Sequence, residues 1–335
     1  MTRIQYISIG FLAIFMCTSC NGQRPFGEDL LIKKASISMP NVKGRIDHMD
    51  INLTERTVYI AALGNNSLEV IDLGNAKKLR SILGLDEPQG ITYIPQQQEI
   101  FVANGGNGDC YFYDAHSFEK KVTIHLSSDA DDVRYDSAQN RIYIGYGEGG
   151  IAVIDAISHN QIADIKLSAH PEGFQLDKKL NKIFINVPDA HQVAVADLNS
   201  YQLIAAWNTG SLGANFPLAI DTIGHVIFVG YRHPSKIVAM DENSGSVLGE
   251  ANLVSDVDDV YFDEKERKIY ASGGGGFIFI YQWQKPVLKQ IAKIYTRDGA
   301  RTSLLVPALK LYILATRANN NNNAELQVYT TWPMD

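Results

Sequence analysis

Between residues 130 and 167 the chain alternates apolar and polar positions in four short runs, ADDVRYD, RIYIGYG, GIAVIDA and QIADIKL, with turn residues between them. A period of two puts every second side chain on one face of a pleated strand, and the β-branched and aromatic content suits that conformation. The pattern recurs about every 42 residues until the chain ends. Its clearest marker is an aromatic in or just before the second run, at Tyr59, Phe101, Tyr143, Phe184, Phe228, Tyr270 and Tyr312, spaced by 42, 42, 41, 44, 42 and 42 residues. A second marker agrees in five units, where the third run stops at Asp72, Asp114, Asp155, Asp197 or Asp241, an acid placed to accept backbone hydrogen bonds in the following turn. Gln282 and Thr330 stand near that place in the last two units. Repeats of roughly 40 residues with four short strands each are the signature of propeller blades, so the spacing predicts an all-β chain, a single seven-bladed β-propeller of four-stranded antiparallel blades.

The chain ends fit this ring. LIKKASISM, residues 31–39, has the pattern of a fourth strand with no strands before it, and three strands without a fourth follow residue 302. The N-terminal strand is expected to complete the C-terminal blade and leave no unpaired ring edges. Length alone would argue for two domains, but the repeats run without a linker, so residues 31–335 form one ring in this reading.

The first twenty residues are of another kind. Arg3 followed by the apolar run Ile4 to Met16 has the layout of a bacterial export signal and is short for a membrane span. Thr18, Ser19 and Cys20 resemble a lipobox, with Cys17 where leucine is usual, so residues 1–20 are expected to be a lipoprotein-type signal with Cys20 as lipid acceptor. Ordinary signal cleavage and an uncleaved anchor are the alternatives. Residues 21–30 would be a tether, and the ring would sit in the cell envelope, held to a membrane by its N-terminal lipid, periplasmic or outer-membrane-associated. Outside the signal, Cys110 is the single cysteine, so the ring contains no disulfide, and a small buried apolar role is expected for it. The net charge of −7 argues against nucleic acid as partner.

The units DLGNAKKLRSILGLDEPQGITYIPQQQEIFVANGG and DAHSFEKKVTIHLSSDADDVRYDSAQNRIYIGYG resemble YVTN repeats, with FVAN at 101–104 nearest to that motif. Over residues 31–330 the chain resembles the YncE-like seven-bladed propellers of exported bacterial proteins. That resemblance implies a propeller outside the cytoplasm that binds something, and brings no reaction with it.

The strings GRIDHMD, DADDVRYD, HPEGFQLD, ANFPLAID, DVDDVYFD and GARTSLLVP occupy one place in the repeat, the loop from the fourth strand of one blade into the innermost strand of the next. Together they form a ring around one mouth of the central channel. Aligned by the repeat, Asp47, Gln89, Asp131, Glu172, Phe216, Asp258 and Thr302 share one position, and His48, Gly90, Asp132, Gly173, Pro217, Asp259 and Ser303 the next. Arg45, Glu87, Asp129, His170, Asn215, Asp256 and Arg301 come just before. Alternation then buries Met49, Val133 and Leu304 with their counterparts, and turns His48, Asp50, Thr92, Asp132, Arg134, Gln175, Asp259, Tyr261 and Ser303 toward the channel. The candidate binding residues are therefore Arg45, Asp47, His48, Glu87, Asp131, Asp132, Arg134, His170, Glu172, Asp258, Asp259 and Arg301. So many acids at one mouth repel unless basic side chains or a cation sit among them, and pairing of Arg134 with Asp132 or Asp50 is one expected relief. The loops between second and third strands, among them NGGNGD, GEGG, RHPS and GGGG, should open on the same face, their glycines explained by tight turns.

Three functions fit such a mouth. The first is a monomeric binding or scaffolding module for an unidentified protein or small-molecule ligand. The second is a lactonase or lyase using a divalent cation such as Ca²⁺, held by oxygens from separate blades with Asp131, Glu172 and Asp258 as candidate ligands, and with His48 or His170 as general acid or base. The third is a redox or metal-handling accessory in which His48, His170, His191 and His233 are ligands. No GxSxG, HExxH or Walker pattern, and no CxxC beyond the signal, points to another chemistry.

Overall fold

Each repeat folds into one four-stranded antiparallel sheet. The computed structural model describes residues 25–331, and the proposed signal with Cys20 and the start of the tether lie outside the described residues. Among those residues the strands form seven such sheets. The innermost strands are Met49–Asn52, Pro88–Ile94, Val133–Asp136, Phe174–Asp177, Gly213–Asp221, Val257–Asp263 and Ser303–Val306, and we number the blades one to seven in this order. Closure is as expected. Strand Ile32–Met39 pairs antiparallel with Ala324–Thr330 as the outer strand of blade seven, with Ile37 opposite Leu326.

The core lies between blades, because each sheet has two apolar faces and each must be covered by a neighbour. Tyr143, Ile151 and Val153 of blade three pack with Phe174, Ile183 and Ile185 of blade four, and Phe184 with Leu218, Ile227 and Val229 of blade five. Val58 and Ile60 of blade one meet Ile313, Ala315 and Leu326 of blade seven, so the seam of the ring is packed like every other joint. The seven marker aromatics are all at most 1% exposed.

Tyr312 departs from the expected register. Ser303 pairs with Leu314 and Val306 with Leu311, just as Met49 pairs with Ile60 and Asn52 with Thr57, so Ile313 and not Tyr312 takes the place of Tyr59. Tyr312 instead looks back at Tyr270 of blade six, the rings stacked 5.6 Å apart. Alignment by aromatics thus misplaces the inner strand of blade seven by one residue, and with a period of two such a slip exchanges the faces. Ser303, expected in the channel, is buried against the Ser272 hydroxyl at 2.8 Å, while Leu304 lines the channel and Arg301 and Thr302 take the places of Asp47 and His48.

The turn acids do what their position requires. Asp72, Asp114, Asp155, Asp197 and Asp241 accept backbone N–H bonds from the residue three further on, at 2.7–3.0 Å. On the same face, opposite the channel mouth, Asp136, Asp177, Asp221 and Asp263 hold the turns after the inner strands by accepting N–H bonds from residues two or three further on. Cys110 is buried, and burial pushes its thiol far above the usual range, as fits a packing residue. Ahead of the first strand, Phe26 exchanges two backbone hydrogen bonds with Lys293 on the outer strand Val287–Tyr295 of blade six.

Truncating one inter-blade aromatic leaves a cavity with no means of collapse. Phe184→Ala is expected to lower the unfolding free energy by about 3–5 kcal/mol in urea titration, whereas Leu203→Ala on the exposed outer strand is expected to stay within about 0.5 kcal/mol.

Candidate functional site

The loops that enter the inner strands converge on one mouth, a cavity of about 1060 Å³ that all twelve candidate binding residues line. Local backbone geometry places them. Glu87, Asp129 and Asp256, equivalent residues of three loops, take left-handed φ of 50°, 39° and 51°, which Asp tolerates better than most residues. Gly105 and Gly274 of the facing loops donate their N–H to the carbonyls of Glu87 and Asp256, each at 2.9 Å. A Cβ on Gly274 would stand 2.0 Å from an Asp256 carboxylate oxygen, and one on Gly105 2.1 Å from Gln89 Nε2. The glycines of these loops are therefore room for the acid-bearing loops beside them.

The four guanidiniums that line the cavity are all paired internally. Arg45 meets Asp47 at 2.7 Å. Arg301 reaches Asp256 at 2.9 Å and Asp258 at 3.0 Å, and Arg232 pairs with Asp258 while its guanidinium lies 3.8 Å above the Phe216 ring. Deeper in the channel Arg134 pairs with Asp132, as the sequence led one to expect. Asp50 accepts hydrogen bonds from Thr92 Oγ1 and Tyr93 N–H, and Asp259 from Ser303 N–H. Gln89 donates to Asp129 at 3.1 Å. Glu87 is exposed at the rim. Arg232 was missed as a site residue, although its loop was placed on this face; Arg317, outside the lining, has its pKa lowered by burial and by Arg301 and Arg45.

His48 sits among acids, its Nδ1 3.3 Å from Asp47 and 4.0 Å from Asp131, its Nε2 3.5 Å from Asp132. Burial opposes its charge, but Asp132, Asp47, Asp131 and Asp259 outweigh burial and push its pKa up to about 9. An imidazolium cannot accept a proton, so at neutral pH His48 is a cation and not a general base. His170 donates from Nδ1 to the Gly147 carbonyl at 2.7 Å, which fixes its ring beside Asp129. His191 and His233 do not line the cavity, so the four histidines do not come together.

Asp131 and Glu172 differ from the rest. No hydrogen bond joins the buried Asp131 Oδ1 to a described residue, and Glu172 has neither hydrogen bond nor ion pair from its carboxyl among them. Burial and Asp47 push Asp131 up to about 8, His48 opposing; burial with Asp131 and Asp258 pushes Glu172 up to about 9, Arg232 opposing. Burial, against His48, lifts Asp259 to about 7. Asp258, the third candidate metal ligand, is engaged by two guanidiniums, so it is not free to join Asp131 and Glu172 around one ion. No group of three or more His, Cys, Asp or Glu among the described residues is arranged to hold a metal ion.

These shifts share one sign. Asp131, Glu172, Asp259 and His48 keep protons in the folded chain at pH values where the unfolded chain, with carboxyls near about 4 and histidine near about 6.5, has lost them. Their linked stability is therefore lost as pH rises through the folded values. Urea midpoints measured at pH 6, 7, 8 and 9 are expected to fall steadily, with a flatter slope for the Asp131→Asn, Glu172→Gln double variant; a flat wild-type series would contradict the assignment.

No protein-family model matches the chain, and no curated protein matches it. Solved structures do resemble it. A chain in the crystal structure of a mitotic checkpoint complex superposes with a TM-score of 0.76 at 16% identity over 99% of both chains. A chain of Kuenenia stuttgartiensis hydrazine synthase does so with a TM-score of 0.74 at 13% identity, covering 87% of this chain and 96% of that one. At such identities the likeness is one of fold, and the fold is that of a β-propeller.

Proposed function

We propose that this protein is an extracytoplasmic binding propeller, anchored by a lipid on Cys20, that receives a ligand or a group from a partner protein through the charged mouth of its channel. The observation that carries this reading is a cavity of ligand size, against a usual range of roughly 300–1,000 Å³, whose four guanidiniums are all held by carboxylates of the same mouth. Such a wall is pre-organised and offers directional hydrogen bonds with little ordering cost. The likeness in fold to a chain of a mitotic checkpoint complex is consistent with this reading. The alternative, a lactonase or lyase dependent on a divalent cation, draws on the carboxyls of Asp131 and Glu172 that lack a guanidinium partner.

Native mass spectrometry with elemental analysis separates the two. The full chain purified in non-ionic detergent without chelator is expected to carry no stoichiometric metal. One Ca²⁺ per chain, lost in an Asp131→Ala, Glu172→Ala variant, would replace the binding reading with the catalytic one. For the anchor, Cys20→Ala is expected to abolish incorporation of radiolabelled palmitate and to move the ring from the membrane to the soluble fraction.

A further inference from the structure

We infer that the mouth takes an organic cation, an ammonium or guanidinium group on an apolar body, at the carboxyls of Asp131 and Glu172; this deepens the binding reading above and depends on it. Three observations converge. Asp131 lines the cavity and is about nine-tenths buried, and its inaccessible Oδ1 has no hydrogen-bond partner among the described residues, the His48 Nδ1 standing 4.0 Å away. Glu172, on the adjacent blade, likewise has no guanidinium partner, and its carboxyl makes no hydrogen bond among the described residues. Beside Glu172 the wall turns apolar: Gly173 N–H bonds to the Phe216 carbonyl at 3.0 Å, and Phe216, Pro217 and Leu218 continue the lining. The same mouth already holds a guanidinium in this manner, since Arg232 pairs with Asp258 while lying on Phe216. A ligand cation at Glu172, on the blade to the other side of Phe216, would repeat that arrangement, with Asp131 of the next blade beyond as its second carboxyl.

The titrating neighbours agree in direction. Asp131 faces Asp47 and His48 of blade one and Asp129 and Asp132 of its own loop; Glu172 faces Asp131, Asp258, Asp47 and Arg232. Without a ligand the pair relieves its repulsion by holding protons, so an entering cation takes their place and protons leave. Binding therefore strengthens as pH rises.

The test is titration calorimetry of the full chain in detergent at pH 6, 7.5 and 9, in buffers of different ionisation enthalpy. Probes are benzamidine and phenethylamine, neutral benzyl alcohol, anionic benzoate, CaCl₂, N-acetyl-arginine amide and a flexible peptide carrying one arginine. Benzamidine stays charged across this range, and its affinity is expected to rise at least tenfold from pH 6 to 9 with proton release. The Asp131→Asn, Glu172→Gln variant, checked by thermal melting, is expected to lose at least thirtyfold in affinity, and Glu172→Gln alone a smaller share. If the peptide binds at least tenfold tighter than the capped amino acid, the cation is a partner's side chain; equal affinities assign it to a free molecule. No cation binding at 5 mM, binding that survives in the variant, an affinity flat with pH, or stoichiometric calcium each overturns the inference. Benzyl alcohol or benzoate binding at the mouth without any cation would sink this inference and leave the binding reading standing, while silence from every probe counts against both.

Discussion

Everything in this molecule depends on the face-to-face packing of one blade on the next, carried around until the first strand covers the last. A twisted four-stranded sheet has two apolar faces, and none of the seven can bury both without a neighbour on each side. Pairing of Ile32–Met39 with Ala324–Thr330 turns a row of sheets into a ring, and Val58 and Ile60 packed on Ile313 and Leu326 make the closing joint equal to the others. The inner loops are thereby forced together: seven segments far apart in the chain meet around one opening, whatever their charges.

That geometric compulsion explains the mouth. Nine carboxyls and four guanidiniums line the cavity, more acid than the arginines can neutralise. Where an arginine reaches, as at Asp47, Asp132 and Asp258, the charge is balanced by an ion pair. At Asp131 and Glu172, two of the carboxyls that no arginine pairs with, burial and repulsion hold the proton in place. His48 shows the converse, since a histidine surrounded by Asp47, Asp131 and Asp132 becomes a counter-ion, though its sequence position alone would suit a base.

The blade count, the closing strand and the membership of the mouth were legible because each rests on periodicity or on a fixed place in the repeat. Asp114 and Asp197 could be recognised as turn residues for the same reason, their partners lying three residues away. The register of blade seven was not legible, because Tyr312 imitates the spacing of the other aromatics while Ile313 occupies their place, and only the pairing of Ser303 with Leu314 distinguishes them. Nor was the pairing of Arg232 with Asp258, which joins two loops of neighbouring blades. Proton affinities depend on burial and on several charges at once, so no local pattern encodes the rise at Glu172.

The bridge between Phe26 and Lys293 would determine how the ring stands if it is tethered as proposed. With a lipid on Cys20, five residues, 21–25, separate the anchor from the first point of attachment on blade six. Even fully extended, at roughly 3.5 Å per residue, they span about 20 Å. If the proposed lipid is attached there, a leash so short would keep the outer rim of blade six close to the lipid headgroups, with the disc tilting about that edge, and would deny the ring the reach to roam far from the bilayer.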